Sequence, residues 1–271
     1  MPELPEVETI RLALAPRLAG RSISEAWGHE SAKFNQAASA TGAQVGTLAR
    51  RGKYLLADLD LGATPRQLVI HLGMTGVLEM RQPSEPADGP YVRAWWALDD
   101  GTTLVFNDVR RFGRVAVVPS GDHRSLSTLA RLGPEPFSDQ FTPQHLRSGV
   151  AATNRAIKTA LLAQHIVAGL GNIYADEALW RAGVDPRRRS GLGSARAQRL
   201  HAAIRSALAD GLARGGTTLR DYRNLDGGRG TNQHRLEVYG RAGQPCLRCG
   251  RTLRSTVLDA RTTTWCVGCQ R

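Results

Sequence analysis

Ala94-Trp95-Trp96-Ala97-Leu98 and Thr102-Thr103-Leu104-Val105-Phe106 flank Asp99-Asp100-Gly101. Two short runs rich in aromatic and β-branched residues, separated by turn formers, predict a β-hairpin. The signal repeats outward from there. Lys53-Tyr54-Leu55-Leu56-Ala57-Asp58-Leu59 is short and partly alternating, residues 67–80 form an apolar run broken by Gly73 and Gly76, and residues 115–118 close the set. Strand after strand over 45–118 with no helix between them predicts an antiparallel sandwich or barrel.

The flanks read differently. Leu4, Val7, Ile10, Leu14 and Leu18 recur at three or four residues, which predicts an amphipathic helix over 3–18. Pro5 suits its first turn, and Glu3, Glu6 and Glu8 lie where the helix dipole favours carboxylates. Gly133-Pro134-Glu135-Pro136 reads as a linker, and helical periodicity follows over 143–150, 155–164, 172–182 and 194–214. Residues 215–244 are Gly- and Arg-rich without a period; a loop of that length inside a domain is uncommon and usually functional. The expected architecture is α+β and multidomain. It comprises a sandwich domain led by a helix (1–133), a helical domain carrying the long loop (134–240) and a cysteine-bearing module (241–271).

The net charge of +12 is unevenly placed. Residues 1–133 hold 15 Lys+Arg against 14 Asp+Glu, whereas residues 134–271 hold 21 against 10. An asymmetric basic surface fits a polyanion, nucleic acid ahead of an anionic membrane. Only Lys33, Lys53 and Lys158 among the 36 basic residues are lysines, and lysine, unlike arginine, can exchange a proton in a protein. No apolar run approaches a membrane span, and a cytoplasmic protein is expected.

All four cysteines lie near the end: Cys246-x2-Cys249, sixteen residues, then Cys266-x2-Cys269. Two such pairs can wrap one tetrahedral Zn²⁺ in four thiolates; with no open position the ion is structural. The alternative, two disulfides, suits an oxidising compartment. Gly169-Leu170-Gly171-Asn172 precedes a helix, and backbone N–H groups there can approach an anion, with Asn172 as a cap or a phosphate donor. A plain interhelical turn is the alternative.

Three signals in this order resemble one family. They are Met1-Pro2-Glu3-Leu4-Pro5-Glu6-Val7-Glu8-Thr9, Gly169-Leu170-Gly171-Asn172-Ile173-Tyr174-Ala175 and the four-cysteine ribbon. With Arg51-Gly52-Lys53-Tyr54-Leu55, His71-Leu72-Gly73-Met74, Arg110-Arg111-Phe112-Gly113 and Val238-Tyr239-Gly240-Arg241, the set resembles bacterial formamidopyrimidine-DNA glycosylase from residue 2 to 269. The resemblance implies a β-sandwich led by a helix, a helix–two-turn–helix domain and a zinc finger. It also implies excision of oxidised purines, chiefly 8-oxoguanine and formamidopyrimidines, followed by β,δ-elimination at the abasic site. The implied partner is duplex DNA, bound by a monomer in the nucleoid.

Site roles follow from the same resemblance. After removal of Met1, Pro2 would supply a secondary amine able to attack C1′ and form a Schiff base. Glu3 would protonate the sugar ring oxygen, with Glu6 as a supporting carboxylate. Lys53 would assist β-elimination, and Arg261, five residues before Cys266, would bind phosphate and assist δ-elimination. Met74, Arg110 and Phe112 match a trio that fills the void left by a flipped base, Arg110 facing the orphaned cytosine. His71, Lys158 and Asn172 match phosphate contacts. Where the family often has histidine, this chain has Tyr91 and Arg93, of which Tyr91 is the closer match for a DNA contact; Arg229-Gly230-Thr231-Asn232-Gln233 replaces a more aromatic stretch. Two rival readings share parts of this set: an endonuclease VIII-like glycosylase for oxidised pyrimidines, and a non-catalytic zinc-ribbon DNA-binding protein.

Overall fold

The structure is a computed structural model that describes residues 2–271 apart from Ala63, Ser190, Arg220, Asp221 and Asp226. The chain divides into two compact units, Met1–Ala130 with Arg214–Thr231, and Arg131–Ala213 with Asn232–Arg271.

In the first unit, helix α1 (Leu4–Leu18) precedes eight strands: β1 (Ile23–Gly28), β2 (Gln44–Arg51), β3 (Tyr54–Asp60), β4 (Arg66–His71), β5 (Gly76–Arg81), β6 (Val92–Leu98), β7 (Thr103–Asp108) and β8 (Arg114–Pro119). They form two four-stranded antiparallel sheets in the orders β1-β6-β7-β5 and β2-β3-β4-β8. Side chains alternate across a strand. Accordingly Ala94, Trp96 and Leu98 of β6 enter the core with Leu104 and Phe106 of β7, and Leu55, Ala57 and Leu59 of β3 join them. The predicted hairpin is present, with Ala94 opposite Phe106, Trp96 opposite Leu104, and Gly101 at φ +82° in the turn. Val7, Ile10, Leu14 and Leu18 lay the apolar stripe of α1 on the same core. Two elements escape the sequence reading. Strand β1 pairs with β6 through a register shift between Ile23 and Glu25, which breaks its period, and a 3₁₀ helix (Asn35–Ala40) follows it.

The second unit holds α3 (Pro143–Ala151), α4 (Ile157–Leu162), α5 (Asn172–Ala182) and α6 (Ser194–Ala213), after a short α2 (Ser127–Ala130) that ends the first pass through unit one. Thr142 caps α3 by accepting from His145 N at 3.0 Å. Helix α5 is buried along almost its whole length, and Gly211 of α6 admits it closely: a Cβ there would meet Tyr174 Oη at 2.4 Å. The unit ends in a hairpin of β9 (Arg254–Leu258) and β10 (Arg261–Trp265).

The units differ from the expected domains in two respects. The stretch 214–231, assigned from sequence to the helical domain, packs with the sandwich, and the cysteine module packs with the helices. Both follow from long-range contacts that no local pattern encodes.

Candidate active site

The first unit gathers most of the sequence-predicted residues. Pro2 and Glu3 are buried at the start of α1, where Glu3 takes the cap position in extended conformation. Glu6, one turn on, is 1% exposed. Its Oε2 accepts from Glu3 N at 2.8 Å and its Oε1 from Thr217 N at 2.6 Å. One carboxylate therefore ties the helix start to the long loop. Gly216 must be glycine for this: its φ is +86° and a Cβ would lie 2.9 Å from Glu6 Cγ. Tyr222 closes the same corner, donating to Gly215 O at 3.2 Å; burial, then Glu6, pushes its phenol upward. Sequence reading missed Thr217 and Tyr222, since they lie more than two hundred residues from Glu6 in the chain. Glu8 has a different task, holding Arg11 and Arg50 at 2.7 and 2.9 Å.

Lys53 is buried in the turn between β2 and β3, where Arg51 pairs with Tyr54 and Gly52 has φ +56°. Arg50 Nη1 donates to Gly52 O at 2.9 Å and steadies that turn. His71, opposite Tyr54 in β4, has its ring centroid 4.6 Å from the tyrosine ring. Burial, then Lys53 and Arg114, lowers its pKa to about 4, so it is neutral at physiological pH. The unfolded chain then takes up the proton first between pH 6.5 and 4, and His71 costs stability as pH falls through that window. His71→Gln is expected to flatten the acid-unfolding profile there, by at most about 3 kcal/mol. Urea unfolding at pH 7 and pH 4.5 measures it, and an unchanged difference would show that His71 is not the group responsible.

Two loops lie side by side at one end of the sandwich. Met74 is half-buried in the turn from β4 to β5, and Phe112, 47% exposed, sits in the turn from β7 to β8. Gly73 lets them meet, because a Cβ there would stand 2.4 Å from Phe112 C. The Arg110 guanidinium lies over the Phe112 ring at 4.6 Å, and Lys33 Nζ donates to Arg111 O at 2.8 Å. Tyr91 is 50% exposed. Arg93 is buried and donates to Asp108 O, Val92 O and Pro90 O through Nε and Nη1, so it pins backbone.

The second unit gathers the remainder and corrects one assignment. Lys158, expected to touch phosphate, is 0% exposed. Its ammonium lies 2.7 Å from Asp176 Oδ1 and donates to Thr262 O and Thr263 Oγ1 at 3.0 and 2.9 Å. It is a buried post between α4, α5 and β10, because α4 turns this side chain inward. Burial raises the Asp176 carboxyl to about 6 against the opposing pull of Lys158. Asn172 is the first residue of α5, with Gly171 at the cap, and its Nδ2 donates to the same Thr262 O at 3.2 Å. The residue next to Arg261 is thus held from two sides, while Arg261 itself is exposed at the hairpin end. Arg261 lines a cavity of about 670 Å³ with Asn154, Arg155 and Arg189. Glu177 accepts from the backbone N–H of Glu237, Val238 and Tyr239 and anchors the chain leading to the finger.

The four cysteine sulfurs lie within 4.8 Å of one another, with Sγ–Sγ separations of 3.9 Å (Cys246–Cys269) and 3.4 Å (Cys249–Cys266). Tetrahedral Zn–S bonds of about 2.3 Å require edges close to 3.8 Å. The sulfurs are too far apart for disulfides, whose S–S bond is about 2.05 Å, and the donor set fits zinc.

Residues 1–115 match the formamidopyrimidine-DNA glycosylase N-terminal domain, 132–223 the family's H2TH domain, and 243–271 a zinc finger found in that family and in isoleucyl-tRNA synthetase. Formamidopyrimidine-DNA glycosylases of Deinococcus radiodurans and Thermus thermophilus are 42% and 44% identical to all of this chain, over 97% and 98% of their own lengths. The chain belongs to the formamidopyrimidine-DNA glycosylase family. Its activity is the family's, a DNA glycosylase with abasic-site lyase activity in base excision repair, and its finger carries one structural zinc. The crystal structure of the Thermus thermophilus family member superposes with TM-score 0.90 at 44% identity, covering 99% of this chain and 98% of that one. A Lactococcus lactis member in complex with Fapy-dG DNA gives TM-score 0.90 at 31% identity over the whole of both chains. Among the described residues of this glycosylase, no helix is long and apolar enough to cross a membrane.

Proposed function

We propose that this glycosylase excises oxidised purines, 8-oxoguanine and formamidopyrimidines, through a Schiff base at Pro2, and cleaves the strand by β,δ-elimination. The observation that carries the reading is the buried Pro2-Glu3-Glu6 corner, with Glu6 locked between Glu3 N and Thr217 N. Relatives bound to Fapy-dG, carbocyclic 8-oxo-G and abasic-site DNA support the substrate class.

Freed of Met1, Pro2 presents a secondary amine whose pKa, near 8 for an α-amino group, leaves a nucleophilic fraction at neutral pH. Attack at C1′ expels the base while Glu3 protonates the ring oxygen; the iminium then acidifies the 2′ protons. Lys53 takes part in the first elimination and Arg261 in the second. Glu6 and Thr217 fix Glu3 and the loop that covers the flipped base. Met74, Arg110 and Phe112 fill the void in the duplex, while His71, Tyr91 and Asn172 position its backbone. The protein acts as a monomer on DNA in the nucleoid, and zinc takes no part in the chemistry.

Borohydride reduction of the enzyme on a duplex with 8-oxoguanine opposite cytosine is expected to leave a covalent adduct on a denaturing gel. Pro2→Gly reduces it severely. No wild-type adduct, with DNA binding intact, would overturn the reading for this lesion, and the same assay on oxidised pyrimidines would then identify the endonuclease VIII-like alternative.

A further inference from the structure

The two loops that carry Met74, Arg110 and Phe112 share one buried carboxylate. Asp108, the last residue of β7, is 0% exposed. Its Oδ1 accepts from Thr75 Oγ1 at 2.6 Å and its Oδ2 from Gly113 N at 2.7 Å. Thr75 lies next to Met74, and Gly113 next to Phe112. The Thr75 hydroxyl, its proton given to Asp108, accepts in turn from Arg110 N at 3.1 Å. One hydroxyl thus serves as donor to the carboxylate and acceptor for the backbone of the residue that faces the opposite strand. Arg93 Nε clamps the carbonyl of Asp108 at 2.9 Å from the other side.

Burying a carboxylate is costly unless its oxygens are bonded. Here both are, and every bond ends on one of the two loops. The packing leaves no slack: a Cβ on Gly113 would stand 3.0 Å from Asp108 Oδ2 and 2.6 Å from Phe106 Cζ. A sandwich needs no such network to pair β5 with β7, since Gly76 already lies opposite Asp108 in the ladder.

We propose that Thr75 and Asp108 are positioning residues that lock the two loops into one rigid void-filling unit, and so set how strictly the enzyme discriminates the base opposite the lesion. The proposal rests on the reading of Met74, Arg110 and Phe112 given above. Neither residue touches DNA in it; both act through the placement of Arg110.

The test compares kcat/KM for 8-oxoguanine opposite cytosine and opposite adenine. Thr75→Val keeps the side-chain shape and removes the hydroxyl; Thr75→Ser restores it. Loss of a hydrogen bond to a charged group corresponds to roughly tenfold. Thr75→Val is therefore expected to narrow cytosine-over-adenine discrimination about tenfold, with Thr75→Ser close to wild type and Asp108→Asn also narrowed. A folded Thr75→Val enzyme with an unchanged ratio, or with both substrates slowed equally, overturns the proposal. Wild-type enzyme that gives no borohydride adduct on 8-oxoguanine DNA defeats the oxidised-purine reading and this inference with it; an intact adduct with an unchanged ratio defeats this inference alone.

Discussion

Glu3→Gln is expected to slow release of 8-oxoguanine by about 10²–10⁴, the usual contribution of a placed general acid, while cleavage of a preformed abasic site falls far less. The asymmetry follows from where the proton is needed. Expelling the base from a closed sugar requires protonation of the ring oxygen, whereas an abasic sugar already opens to an aldehyde that the Pro2 amine can attack. The substitution spares the fold, since glutamine keeps an acceptor oxygen at the cap position that Glu3 occupies and Glu6 still accepts from the backbone N–H of residue 3. Single-turnover release of the free base, run beside strand scission of an abasic duplex, separates the two steps. Parallel loss in both would move the acid role to another residue.

The second large effect concerns zinc. The core beneath the finger is small: Trp180, Val238, Leu253 and two of the cysteines themselves, Cys246 and Cys266. So little apolar surface cannot offset the conformational entropy of the hairpin. Structural zinc contributes apparent binding energies of roughly 10–16 kcal/mol in comparable modules. Chelation is therefore expected to unfold 241–271, expose the buried indoles Trp180 and Trp265, and strip Lys158 of its contacts with Thr262 and Thr263. Affinity for lesion DNA falls by roughly 100-fold or more, equivalent to about 2.7 kcal/mol, and returns on adding Zn²⁺. Tryptophan fluorescence and a binding titration at fixed salt measure both. Full DNA affinity in a zinc-free protein with shifted fluorescence would show that the finger is dispensable for binding.

Periodic and spaced signals were legible in the chain. The stripe Leu4–Leu18 became α1, the run around Asp99-Asp100-Gly101 became the β6–β7 hairpin, and the cysteine spacing became a four-sulfur cluster. Relations between distant side chains were not. Lys158 reads as a basic residue on a short helix, and nothing nearby announces that Asp176 and Thr263 neutralise and bury it. Thr75 and Asp108 look like ordinary loop residues until the two turns are seen to share a carboxylate. Arg93, weighed beside Tyr91 as a surface contact, proves to be a pin on three carbonyls. In each case the deciding partner is set by packing, which a hydropathy pattern constrains only as inward or outward.

The first unit is not one continuous piece of chain. It is left at Ala130, re-entered at Arg214 and left again at Thr231. The amide bonded to Glu6 Oε1 comes from Thr217, so a nascent chain that has already folded its two sheets still lacks that bond. Competence at the N-terminal residues is thereby tied to the last fifth of translation. A truncated product ending before Arg214 would hold Pro2 and Glu3 without the loop whose Thr217 amide fixes Glu6.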